Sequence, residues 1–289
     1  MVDRRGTPVG ASSLPWGGPG ARHAPLAFHL AMHRHPEPPP LTTDSAVFLD
    51  IDGTLLEFAP APDQVKVTTK VFTLLTSLAT KLNGAVALVT GRAIADVDRL
   101  FPELRMPVSG QHGCERRTAS GYRHVHASPA EATDRLRVAM HRLAAEHPGL
   151  MLEDKGITLA LHYRRVPHLA AFVHRAVREM LAPAVAGGAG LQLLTGKMIV
   201  EVKPVGRHKG AAILEYMDEA PFAGRTPVFV GDDDTDEHGF HAIHARNGWS
   251  VKVGPGATSA EYRLADVSAV LAWLTAFDKR SRAALPHNA

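Results

Sequence analysis

Four short apolar runs, each closed abruptly by a turn or a polar cluster, constrain this chain more than any other feature. They are Ala46 to Leu49, Ala85 to Val89, Met106 to Val108 and Val228 to Val230, and Ser250 to Val253 reads as a further strand. Runs of this length without polar alternation suit strands buried on both faces. Between the first two, Val71, Leu74, Leu75, Leu78 and Leu82 recur at helical spacing, and Asn83-Gly84 supplies the stop. Ile94, Val97 and Leu100 mark another helix. Lys209 to Met217, a helix beginning near Thr235, and one through Val270, Leu271 and Leu274 accompany the later strands. Strands alternating with helices need right-handed crossovers, so the expectation is an α/β fold with a parallel sheet.

The pattern changes in the middle of the chain. Ser128-Pro129-Ala130-Glu131 reads as a capping box with proline at the first helical position, and Leu136, Met140 and Leu143 continue that helix. Leu150 to Glu153 and Ile157 to Tyr163 read as strands, Val166 to Leu181 as a helix, and Leu191 to Leu194 with Met198 to Val202 as a hairpin around Gly196. This predicts a small α+β module inserted into the larger fold. The expected division is a core over 44–123 and 205–289, an insert over 124–204, and hinges near Arg123 and Pro204.

Residues 1–43 are rich in Gly, Pro, Arg and His, and are expected to form a flexible leader. The stretch Leu26 to Met32 is broken by His29 and is too polar for a signal-peptide core. Prolines argue against the amphipathic helix of a transit peptide, and His23, His29, His33 and His35 read as a solvated tail rather than a metal site. No run reaches the length of a membrane span, so no membrane partner is expected. The net charge is only +3, from 32 basic and 29 acidic residues, with no clustered basic face. A nucleic-acid partner is therefore not expected, whereas a small anionic molecule suits this balance. The single cysteine, Cys114, excludes an internal disulfide and fits a reducing cytoplasm; a monomer is the expected state.

Asp50, Asp52, Thr90, Asp232, Asp233 and Asp236 all fall at or just beyond expected strand ends. In an open parallel sheet those ends share one crevice, where ligands bind. Carboxylates crowded there repel one another unless a hard cation lies between them, and Mg²⁺ suits oxygen donors. A calcium loop is excluded, because Gly53 comes two places too early in Asp50-Ile51-Asp52-Gly53. Bland readings compete at single positions: Asp233 or Asp234 as a helix cap, and Thr90 as an N-cap that would also aim a helix N-terminus at an anion. Lys209 at a helix start opposes the helix dipole, which favours a functional role.

Four stretches carry a resemblance: Asp50-Ile51-Asp52-Gly53-Thr54, Val89-Thr90-Gly91-Arg92, Lys209-Gly210, and Gly231-Asp232-Asp233 with Thr235-Asp236. In order and placement they resemble the motifs of the haloacid dehalogenase-like (HAD) phosphatases, from about Ser45 to the end. The resemblance implies a HAD-like Rossmannoid parallel-sheet core with an inserted α+β cap domain. It implies Asp50 as the nucleophile that forms an aspartyl-phosphate, and Asp52 as general acid, then base. It implies Mg²⁺ held by the Asp50 carboxylate, the Asp52 backbone carbonyl and Asp232, with Asp233 and Asp236 in support. Thr90 and Lys209 would hold the phosphoryl oxygens.

Glu153-Asp154-Lys155-Gly156, the stretch from Gly196-Lys197 through Glu201, and Gly110-Gln111-His112-Gly113 further resemble the trehalose-6-phosphate phosphatases. That resemblance implies trehalose 6-phosphate as the substrate, with Glu153, Lys155, Lys197 and Glu201 on the sugar and His162 and Arg164 beside them. Gly91, Arg92 and His112 are expected to contact the substrate from the core side. Each cap residue has a competing role as a surface ion pair. Arg164 and Arg165 are not both expected at one pocket, since adjacent strand residues face opposite ways. Two positions depart from the family pattern: Gln111 stands where an acid is frequent, and Thr90 where serine is frequent. A phosphatase for another sugar phosphate, such as sucrose phosphate or mannosyl-phosphoglycerate, would share the same core. A non-catalytic phosphate-sensing module would lack the Asp52 acid and the cap.

Overall fold

A computed structural model describes residues 35–58, 65–126 and 129–283. Its larger sheet has eight strands in the order β12-β11-β10-β1-β2-β3-β4-β5. At its centre are β1 (Ser45–Leu49), β2 (Val86–Val89), β3 (Val108–Gly110) and β10 (Thr226–Gly231), all parallel. β11 (Trp249–Val253) and β12 (Tyr262–Leu264) extend the parallel set on one side. β4 (Glu115–Arg117) and β5 (Arg123–Val125) turn antiparallel on the other. The chain steps from β1 through β2 to β3 in one direction, then returns to place β10 on the opposite flank of β1. The strand order thus reverses at β1, and a crevice opens at the carboxyl ends of β1 and its neighbours.

Every residue of β1 and β2 is buried, which explains their unbroken apolar character. α1 (Thr69–Lys81) starts where the Thr68 side chain accepts the Val71 N–H, and buries Val71, Leu74, Leu75 and Leu78 against the sheet. α2 (Ile94–Leu100), α5 (Lys209–Met217), α6 (Glu237–His244) and α7 (Val267–Ala283) complete the helical layers. Truncating a fully buried side chain here, such as Leu75 or Phe229, costs about 2–5 kcal/mol.

The insert holds a separate apolar cluster. Its antiparallel sheet runs β6-β7-β9-β8: β6 (Met151–Asp154), β7 (Leu159–His162), β9 (Ile199–Pro204) and β8 (Leu191–Gly196). α3 (Ala130–Glu146) and α4 (Ala170–Ala186) cover one face through Leu136, Met140, Val173 and Val177. Pro129 precedes α3 without a side-chain cap, and the expected cap Ser128 lies outside the described residues. Strand alternation divides the sheet cleanly. Leu159, Leu161, Val200 and Val202 face the helices, so Glu153, His162 and Glu201 stand on the opposite face.

The expected leader needs one correction. Residues 1–34 lie outside the described residues, but residues 35–43 pack on the larger sheet rather than standing free. Leu41 is buried, the Pro36 carbonyl accepts the Arg263 N–H, and the Pro39 carbonyl accepts Trp273 Nε1–H at 3.0 Å. A proline-rich segment has few N–H groups to offer a sheet but keeps all its carbonyls, and those anchor it.

Candidate functional site

Asp50 follows β1, Thr90 follows β2 and Asp232 follows β10, so three neighbouring strands deliver one polar residue each to the crevice. The Asp50 N–H donates to the Val230 carbonyl at 3.0 Å, which continues the sheet ladder to the first acid. Lys209, the first residue of α5, is buried and donates to Asp50 Oδ1 at 2.8 Å and to Asp236 Oδ1 at 2.7 Å. Burial alone would lower this ammonium, but Asp236 and Asp50 outweigh it and hold its pKa above the usual range. Burial pushes the Asp50 carboxyl well up; Lys209 opposes this, while Asp236 and Asp232 add to it.

Oxygens of Asp50, Asp232 and Asp236 lie within 4.8 Å of one another. Against these three carboxylates stand Lys209 and Lys197, whose Nζ reaches Asp232 Oδ2 at 2.9 Å from the insert. Asp232 Oδ1 is buried without a partner among the described residues, and an all-oxygen donor set of this kind suits a hard divalent cation. The backbone is shaped to keep the cluster tight. Gly53 has φ +81°, and a Cβ there would lie 2.4 Å from an Asp232 carboxylate oxygen.

Asp52 is gripped by Arg92 through two parallel bonds, Nε to Oδ2 and Nη2 to Oδ1, both 2.7 Å. The expectation placed Arg92 on the substrate; the structure brings it to the same cavity but pairs it with Asp52. Thr90 Oγ1 accepts the Arg92 N–H at 3.2 Å and so holds the loop containing Gly91; Thr90 is not the N-cap of α2, which begins after Ala93 with no side-chain cap. Gly91 lies against the His112 ring, where a Cβ would come within 2.6 Å. Asp233 takes its bland reading: it accepts the Asp234 N–H and caps the 3-10 turn Asp234–Asp236. Asp236 closes that turn by accepting the Asp233 N–H at 2.8 Å, while its other oxygen meets Lys209.

The open face of the inserted sheet roofs this crevice and encloses a cavity of about 220 Å³. The Lys155 side chain is largely covered, donates to the Gly91 carbonyl at 2.9 Å and faces Glu201 at 3.6 Å. Burial would lower its ammonium; Glu201 and Glu153 more than offset this and raise it. Burial would raise the Glu201 carboxyl, but Lys155 and then His112 hold it far below the carboxylate range. His112 Nε2 lies 3.2 Å from Glu201 Oε2, and burial keeps its ring on the neutral side despite that partner. Glu153 pairs with His162 Nε2 at 2.8 Å. Lys197 and Arg164 reach the cavity wall, and Arg165 does so as well. The expectation that Arg164 and Arg165 could not share one pocket fails because both lie in a turn beyond β7, where strand alternation has ended.

All the predicted site residues except Asp236 line this cavity, and Asp236 reaches it through Lys209. Sequence reasoning missed Phe58, whose ring lies 4.9 Å from Lys197 Nζ, and the apolar wall of Met151, Leu194 and Ile199. Phe58 sits in an irregular segment without periodicity. The other three become legible only once the strand register is known.

Residues 48–268 match the trehalose-phosphatase family model. The chain is 46% identical over 241 residues to the trehalose-6-phosphate phosphatase of Escherichia coli, covering 82% of this chain and 88% of that protein. It is 38% identical over 216 residues to a probable trehalose-phosphate phosphatase of Sinorhizobium fredii, covering 75% and 80%. In fold it is similar to the C-terminal domain of the Candida albicans trehalose-6-phosphate phosphatase, with TM-score 0.72 at 22% identity over 82% of this chain and 93% of that one. Strand-end acids, a buried lysine between them and a polar roof are thus joined to a family match over most of the chain, and the chain belongs to the trehalose-phosphatase family.

Proposed function

We propose that this chain hydrolyses trehalose 6-phosphate to trehalose and inorganic phosphate at the crevice beneath the inserted sheet. The observation that carries the reading is the stacking of two layers: Asp50, Lys209 and Asp232 below, and Glu153, Lys155 and Glu201 above, around one cavity. A sugar carries many hydroxyls, and a wall of paired charged donors and acceptors suits them. The insert acts as a cap, with the core divided into 44–123 and 205–289.

Asp50 attacks the phosphorus in line. Lys209 engages its Oδ1, and Oδ2 carries no hydrogen bond among the described residues. As the new O–P bond forms, the bond from phosphorus to the sugar oxygen breaks, and Asp52 protonates the departing alkoxide. Asp52, now a carboxylate, takes a proton from water as that water attacks the aspartyl-phosphate, releasing phosphate and restoring Asp50. Arg92 holds both oxygens of an ionised Asp52 in the substrate-free protein, so Asp52 must leave that pair and take up a proton, from water or from the monoanionic ester, before it can protonate the leaving oxygen. Lys209 and the Thr90 hydroxyl hold phosphoryl oxygens. Asp50, Asp232 and the Asp52 carbonyl would hold the cation, for which we propose Mg²⁺, supported by Asp236. When bound, it offsets the repulsion between an anionic nucleophile and an anionic ester. Asp233 supports this set only by capping its turn.

No helix among the described residues is long and apolar enough to cross a membrane. We propose a monomeric, cytoplasmic enzyme, in keeping with one buried, unpaired cysteine. The test of substrate is phosphate release from a panel of sugar phosphates with Mg²⁺. Trehalose 6-phosphate should lead by at least about a hundredfold in kcat/KM, roughly the worth of two to three buried polar contacts. Equal rates on glucose 6-phosphate would overturn the reading.

A further inference from the structure

Gln111 is a buried residue to which the mechanism gives no task, yet its side chain makes four hydrogen bonds, three of them across the boundary between core and cap. It directly follows β3, and its φ of 48° is left-handed, as is that of His112 at 55°. Two consecutive non-glycine residues in this region are strained. Backbone bonds keep them there: Gln111 N–H donates to the Arg92 carbonyl at 2.8 Å and His112 N–H to the Thr90 carbonyl at 3.0 Å.

That strained turn aims the Gln111 amide across the boundary. Nε2 donates to Glu115 Oε1 at 2.9 Å and to the Lys155 carbonyl at 3.0 Å. Oε1 accepts the Thr158 N–H and the Thr158 hydroxyl, each at 3.1 Å. Two donors and two acceptors are thus all used, the full capacity of a glutamine amide. The orientation is unambiguous, because the Thr158 N–H can only donate and the Lys155 carbonyl can only accept. Glu115, the core-side anchor, is itself held by the Ile94 N–H at 2.9 Å. The cap side of the clasp is the turn between β6 and β7, closed by Lys155 N–H to the Thr158 carbonyl. Lys155, whose carbonyl Gln111 holds, is the residue whose ammonium meets Glu201 and the Gly91 carbonyl.

We propose that Gln111 is a positioning residue: it clasps the 155–158 turn of the cap to the core and so sets where the Lys155 ammonium stands over the substrate. The inference rests on the reading that Lys155 meets the sugar. It explains why a neutral amide serves here. An ionised acid would replace both N–H donors by an acceptor oxygen facing Glu115 and the Lys155 carbonyl, opposing both contacts.

The test compares the wild-type protein with Gln111→Met, which keeps the length and loses all four bonds, and with Gln111→Ala. In the substrate-free protein, the Thr158 amide should exchange at least about tenfold faster in both variants, while the β1 and β10 amides keep their rates. KM for trehalose 6-phosphate should rise about tenfold with kcat within about twofold, and kcat/KM on p-nitrophenyl phosphate, which carries no sugar, should stay within about twofold. Unchanged Thr158 exchange would overturn the clasp. Faster exchange with equal losses on both esters would overturn positioning in favour of a merely structural role. If the wild type instead prefers another sugar phosphate, the substrate reading falls, and the same split measured on that ester still decides the role of Gln111.

Discussion

The floor and the roof of the cavity are both charged and both buried, but they are built by different rules. On the floor, Asp50, Thr90 and Asp232 are where they are because a parallel sheet ends at one edge, so each acid needs only to follow its strand. On the roof, Glu153 and Glu201 flank Ala160 in one row across antiparallel strands, and a single-residue slip would turn them away from the cavity. The floor crowds the oxygens of Asp50, Asp232 and Asp236 within 4.8 Å of one another beside Lys209, whereas on the roof Lys155 sits between Glu153 and Glu201 and the Glu153 carboxylate also meets His162. A floor of this kind needs a cation and performs a reaction. A roof of this kind selects what the floor acts upon.

The largest effect expected on this contrast comes from the floor. Asp50→Asn should abolish turnover of every phosphate ester, sugar or not, while circular dichroism shows the fold retained; turnover surviving on any ester would remove Asp50 as nucleophile. Lys209→Met should be nearly as severe and should also destabilise, since it leaves Asp50 and Asp236 buried without their shared ammonium. Breaking such a pair costs about 3–5 kcal/mol, read by urea unfolding without added metal. A roof change is expected to be smaller and selective: Glu153→Gln should raise KM for the sugar ester about tenfold with little change in kcat. Adding Mg²⁺ should raise the melting temperature by a few degrees, and Asp232→Asn should suppress that rise.

The smallest effect concerns acid. Glu201 has a folded pKa depressed below its ordinary 4.5, so its contribution is complete above that value and lost as pH falls beneath it. The wild type should therefore lose stability below about pH 4.5 more steeply than Glu201→Gln, as read by melting temperature against pH.

The same contrast explains what could be read from sequence. Asp50, Thr90, Lys209 and Asp232 were legible because each lies next to an apolar run or opens a helix, within local motifs. Glu153, Lys155 and Glu201 stand in polar stretches of the insert that could hydrogen-bond a sugar, and the resemblance picks them out individually, since nothing local distinguishes them from surface ion pairs. Arg92 entered as a substrate contact and stands instead on Asp52, a pairing between residues forty positions apart that no spacing encodes. Residues 35–43 were read as a leader because prolines lack the donors that mark a strand, although their carbonyls anchor them. The short strands β4, β5 and β12 carry too few apolar residues for a pattern, and pairing with an existing sheet edge forms them.

The division of labour itself is tested most directly by exchanging Glu201→Gln and Lys155→Met together, so that neither buried charge is left alone. Measured with Mg²⁺, kcat/KM for trehalose 6-phosphate should fall by about a hundredfold or more, while kcat/KM for p-nitrophenyl phosphate stays within about threefold. An equal fall on both esters would contradict the account, because the roof would then serve the chemistry and not only the choice of substrate.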